Sequence, residues 1–152
     1  MREILFRGKR LQGGNWLEGY FFKSDINKRE RESGKASLIF TPDCDTFITV
    51  PECHNSFMVA SDTVGQYTGM TDKNGKRIFE WDIVAQNWYD YDEPRDDSFG
   101  KVVFCEYDCS FSVMDVNKDG FMPLGRCGSY HWEVEVIGNI HDNPELLKGG
   151  EG

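Results

Sequence analysis

Chain-reversing residues interrupt this sequence so often that no long helix fits between them. Its apolar and aromatic runs are short, and each is bounded by Gly, Pro, Asn or Asp. "NWLEGYFFK" (15–23), "TFITV" (46–50), "TVGQYTG" (63–69) and "DIVAQNWYD" (82–90) are of this kind. So are "KVVFCEY" (101–107), "SFSVMDV" (110–116) and "EVEVIGN" (133–139). A period of two sends successive side chains to opposite faces of an extended strand. In 15–23 it sets Trp16, Glu18, Tyr20 and Phe22 against Leu17, Gly19 and Phe21. "REILFRG" (2–8) and 15–23, joined by glycine-rich "KRLQGG", predict an N-terminal hairpin. "ASLIFT" (36–41) predicts a further strand, and mixed-charge "INKRERESGK" (26–35) a solvated connector. Only "DNPELLK" reads as helical, a short C-terminal turn with Asn143 as cap and Pro144 at the first helical position. The expected fold class is mainly β, with short strands in a small barrel or paired sheets. It occupies residues 1–152 as one domain, divisible into lobes at 1–60 and 61–148.

Composition narrows the functions. The chain has 152 residues with 11 Phe, 6 Tyr and 4 Trp, enough to bury a core without a disulfide or a metal. Its net charge of −9, from 26 acids and 17 bases, argues against generic nucleic-acid binding, where Lys and Arg must replace phosphate counterions. Arg2, Arg7, Lys9 and Arg10 form the local basic face that such binding would require. No run approaches the ~20 apolar residues that span a bilayer, and the start lacks a signal-peptide pattern. A cytoplasmic location, no membrane partner and 5 reduced cysteines are expected.

"GMTDKNGKR" (69–77) looks at first like a phosphate-cradling loop. That motif needs four residues between its first glycine and its Gly-Lys pair, then Ser or Thr, then a long helix. Here five residues separate Gly69 from Gly75, and Arg77 stands where the hydroxyl belongs. Asp72 and Asn74 suit turn geometry and Gly75 accepts positive φ, so the stretch predicts a tight reversal.

The longer segment "TVGQYTGMTDKNGKRIFEWDIV" (63–84) closely resembles the signature of the YopX family of phage and prophage proteins. "MREILFRGKR" with "GNWLEGYF" is similar to that family's N-terminal segment, and "EVIGNIHDNPELL" to its C-terminal one. The resemblance spans Met1 to Leu147. It implies a mostly β fold with an SH3-like barrel portion and carriage on phage or prophage genomes. It supplies no reaction. One departure stands out: the family pattern has glycine where this chain has Trp81. If that glycine supplies positive φ, Trp81 is either relieved of that conformation or strained by it.

The remaining chemical candidates are weaker. Asp115, Asn117, Asp119 and Gly120 match the start of a calcium loop, but its twelfth position is the cation Arg126, and a hairpin turn explains the same letters. "DYDEPRDD" (90–97) is an acidic stretch expected as a solvated loop, and its carboxylates carry the alternative reading, a metal-dependent hydrolase. Cys44, Cys53, Cys105, Cys109 and Cys127 form no zinc knuckle. Cys53 and His54 are expected on opposite faces of a strand, unsuited to a nucleophile–base pair, and His131 and His141 read as structural. No catalytic residue, metal ligand or cofactor is assigned. The leading expectation is a binding or assembly module with a protein partner, a second copy included. Trp81, Trp88, Tyr89 and Tyr91 are its candidate contact patch, with core packing of alternate residues as the competing reading.

Overall fold

Glycines fix where the first strands begin and end. In the computed structural model, which describes residues 3–24, 45–90, 93–116, 120–125 and 131–148, Gly13 and Gly14 take φ of +89° and +68°. They reverse the chain between β1 (Phe6–Lys9) and β2 (Trp16–Lys23), which pair antiparallel with Lys9 opposite Trp16. β3 (Thr46–Val50) and β4 (Asn55–Met58) follow, giving the order β4-β3-β2-β1. This part belongs to the first of two compact units, Met1–Gln66 and Tyr67–Gly152.

In the first unit Leu5, Ile48 and Val59 are buried together with Gly8 and Gly19. A Cβ at Gly19 would overlap the Thr49 carbonyl, so only glycine lets β2 approach β3 here. The chain after β4 returns to the chain after β1. Ala60 N–H donates to Lys9 O at 2.9 Å and Leu11 N–H to Met58 O at 3.1 Å, around a single bridge between Arg10 and Val59. The Thr63 hydroxyl, in a 3-10 turn at Ser61–Thr63, accepts from Lys9 N–H at 2.8 Å.

β5 (Gly65–Thr71) begins in the first unit, where Gly65 and Gln66 pair with β1, and ends in the second. The second unit continues with β6 (Arg77–Phe79), β7 (Asp82–Asp90), β8 (Glu93–Cys105), β9 (Ser110–Asp115), β10 (Phe121–Pro123) and β11 (His131–Asn139). Five of them form an antiparallel sheet ordered β10-β9-β8-β7-β11. Ile78, Val84, Val102, Val113, Leu124 and Val134 make its apolar core. Gln86 is fully buried in the same sheet, with both ends of its amide satisfied. Its Nε2 donates to Pro123 O at 3.0 Å and its Oε1 accepts from Gly125 N–H at 3.4 Å.

The chain is mainly β, with both sheets antiparallel. The expected small barrel is a correction: among the described residues no barrel closes. β10 has only 3 residues and pairs with β9 alone, so it has no register with β11 that would close the sheet. The described residues of the acidic stretch, Asp90 and 93–97, lie in strands rather than in a loop. β8 starts at Glu93, and its pairing with β7 runs out to Asp90↔Glu93 through a shift after Trp88. Such an irregularity accommodates Pro94, which has no N–H to give the ladder. At the end, Pro144–Lys148 forms a 3-10 turn. Asn143 stands just before it, its carbonyl accepting from Leu146 N–H at 3.1 Å and its Oδ1 from Asn139 N–H at 3.4 Å. "ASLIFT", the connector at 26–35, Asn117 and Asp119 lie outside the described residues.

Trp81 answers the question its position raised. It keeps φ of +70°, the left-handed conformation, despite its Cβ. Both of its backbone groups are held: Trp81 N–H donates to Val102 O at 2.9 Å, and Trp81 O accepts from Ile140 N–H at 2.9 Å. The strain is therefore imposed by the chain on either side. Glycine ordinarily stabilises less than alanine, but here the order reverses, because an alanine at this position would still carry the left-handed penalty. Trp81→Gly is expected to exceed Trp81→Ala in stability by about 1 kcal/mol, read by thermal unfolding of the two variants.

Candidate functional site

The phosphate-like stretch 69–77 is a reversal between β5 and β6, closed by Thr71↔Arg77 and by Gly75 at φ +81°. Its organiser is Asp72, which is only 7% exposed. Asp72 Oδ1 accepts from Asn74 N–H at 2.8 Å and from Lys76 N–H at 2.9 Å. Its Oδ2 accepts from Val136 N–H on β11 at 3.1 Å. Lys73 adds two more ties to β11, N–H to Val134 O at 2.9 Å and an ammonium 2.6 Å from Glu135. Burial pushes the Asp72 carboxyl up, but the three backbone N–H groups and the Lys76 charge together outweigh it and hold it below the usual aspartate range. An ionised carboxylate enclosed by its own chain's donors is a structural joint and offers no cradle to a phosphate.

The other carboxylate candidates are similarly engaged. Asp115 is buried, and its Oδ2 accepts from Phe99 N–H at 3.3 Å. Asp82, 1% exposed, accepts from Phe79 N–H at 2.8 Å. Among the described residues no three His, Cys, Asp or Glu side chains gather as a metal site would require. Cys53 and His54 lie in a turn at 51–54, both exposed, rather than on a strand. Cys53 Sγ donates instead to Val50 O at 3.8 Å. Cys105 is buried at the end of β8, and Cys109 is exposed in the turn that follows. His131 opens β11 opposite Tyr89, and His141 is half-buried after it. Cys44 and Cys127 lie outside the described residues.

The candidate aromatic patch does not come together as one surface. Trp81 precedes β7 and Trp88 lies near its far end, about 23 Å along an extended strand. Trp88 sits opposite Trp132 of β11 with ring centroids 6.2 Å apart, and half-buried Tyr89 is the next residue along the strand. Tyr91 lies outside the described residues. The N-terminal cations are drawn onto rings. The Arg7 guanidinium lies 4.7 Å and the Lys9 ammonium 5.9 Å from the Trp16 ring centroid, while that of Arg10 lies 4.6 Å from the Phe57 ring.

An aromatic groove on the first unit is what the sequence did not reveal. Register places Phe22, Phe47 and Met58 side by side across β2, β3 and β4 on one face. Phe22 and Phe47 stack, with centroids 5.2 Å apart and planes 14° from parallel. Leu11 and its neighbours Arg10 and Gln12, brought in by the Leu11–Met58 backbone bond, border a groove of about 410 Å³. Ser56 also lines it, its hydroxyl 2.8 Å from that of Thr49. Phe22 stays 38% and Leu11 46% exposed, so the groove opens to solvent. The alternation in 15–23 had put Phe22 on one face with Tyr20. It had no means of telling that this face, and not the Leu17–Phe21 face, would stay uncovered.

Fold and surface thus define an antiparallel β protein of two units, with buried carboxylates bonded to backbone and an aromatic groove on the first unit. The chain belongs to the YopX family: the model described as "YopX protein" matches residues 5–148. Among solved structures, protein EF1440 from Enterococcus faecalis is similar over 97% of this chain and 99% of that one, at 25% identity and a TM-score of 0.45. The curated proteins contain no match.

Replacing Asp72 tests the structural role assigned to it. Asp72→Asn keeps the shape but turns one acceptor oxygen into a donor facing N–H, and is expected to lose about 2 kcal/mol of stability. Because the folded carboxyl titrates below its unfolded value, its contribution is complete above the ordinary aspartate value of about 3.9. It is lost as pH falls through the lowered folded value. Denaturant unfolding from pH 7 downwards should show wild type and variant converging in that acid range.

Proposed function

We propose that this chain is a non-catalytic binding or assembly module acting inside the cell, in the phage or prophage setting that its family resemblance implies. The groove on the Met1–Gln66 unit is its contact surface. The observation that carries this reading is the groove's composition. Three phenylalanines, Leu11 and Met58 line it beside one cation, Arg10, and two small polar side chains, Gln12 and Ser56. Recognition sites have this character, an apolar body with a few polar groups that fix orientation, in volumes of about 300–1,000 Å³. Phe47 is buried beneath Phe22, while Phe22 and Leu11 stay partly in water, and such apolar surface is favoured where another molecule covers it. The β7 aromatics serve this role less well, because Trp81 and Trp88 lie at opposite ends of a strand.

An anionic aromatic probe reads the groove directly. Anilinonaphthalene sulfonate should bind the native protein at one saturable site. Phe22→Ser and Arg10→Gln should each weaken that binding by about tenfold, equal to about 1.4 kcal/mol. Binding that is unchanged in both variants, with native folding by circular dichroism, would remove the groove from the account.

A further inference from the structure

The second unit carries an aromatic side chain in the open. Tyr107 is 95% exposed, in the turn that joins β8 to β9 after their last pair, Cys105↔Ser110. Glu106 and Asp108 flank it and are exposed as well. The turn is held in shape. Cys109 adopts φ of +50°, and its thiol donates to Glu106 O at 3.5 Å. Phe104 and Phe111 pack edge to face at its base, with centroids 5.4 Å apart. A tip bearing a tyrosine between two carboxylates complements, in charge and character, an apolar groove bordered by one cation.

We infer that Tyr107 of one copy of this chain enters the aromatic groove of a second copy, with Glu106 and Asp108 facing Arg10. This rests on the groove being a contact surface, as proposed above. Two chains of charge −9 repel one another, so their contact needs a local cation, and Arg10 is the charged side chain that lines the groove. The tyrosine ring gains aromatic contact with Phe22 and Phe57, and its hydroxyl meets the polar side of the groove at Gln12 or Ser56. The tip and the groove are different surfaces, so the contact either pairs two copies reciprocally or runs head-to-tail through more of them. One turn in one groove buries less than a standard interface, and the expected association is weak, with a dissociation constant on the order of 100 μM.

Sedimentation velocity of the full chain from about 10 μM to about 1 mM spans that constant. The weight-average mass should rise with concentration above that of a monomer in wild type, and remain monomeric in Tyr107→Ser. That variant removes only an exposed side chain, so folding is unaffected. Arg10→Glu should abolish association, and combining it with Glu106→Arg and Asp108→Arg should restore it. Wild type that stays monomeric to about 1 mM, or Tyr107→Ser that associates as wild type does, overturns the inference. If the protein still binds the sulfonate probe at one groove-dependent site, that failure belongs to the occupant and leaves the groove standing. If probe binding is also absent, both readings fall.

Discussion

One carboxylate ties the β5–β6 turn of the second unit to β11. Asp72 takes two N–H groups from its own reversal and a third from Val136, 64 residues away in sequence. A hydrogen bond to an ionised group contributes more than a neutral one, and leaving its donors buried without acceptors is costlier still. With the two ties from Lys73, this joint fastens β11 beside the β5–β6 turn, while pairing with β7 carries Val134 to the core cluster. The same arrangement recurs at Asp82 and Asp115, where acidic oxygens accept backbone N–H groups. Each of these buried carboxylates accepts at least one main-chain N–H group, which ties it to the fold.

Local features of the fold were legible in the sequence and long-range ones were not. Alternation marked β3 and β7 with their observed limits, Thr46–Val50 and Asp82–Asp90. Turn chemistry at Asp72, Asn74 and Gly75 separated a reversal from a phosphate loop, because both depend on spacing within a few residues. No local pattern announces that Asp72 would also reach Val136, or that Gln86 would be buried to hold Pro123 and Gly125. Asp90 and residues 93–97 of the acidic stretch misled for the opposite reason. Charge and proline favour a loop locally, and pairing with β7 overrides that preference. Trp81 shows the same dominance of tertiary structure, its left-handed backbone fixed by bonds to Val102 and Ile140.

The groove shares this non-local origin. Phe22, Phe47 and Met58 come from three strands, and they become neighbours only through register. Register also decides which face is closed. Gly19 lets β2 and β3 approach on the core side, which leaves Phe22 partly in water. A surface assembled by register in this way leaves no local motif in the sequence.

Hydrogen exchange at Val136 tests most directly the claim that the buried carboxylates serve the fold. In Asp72→Asn, exchange of the Val136 amide should accelerate by about tenfold relative to core amides of β7 and β8, the equivalent of about 1.4 kcal/mol of local opening. A Val136 amide that keeps pace with those core amides in the variant would contradict the account.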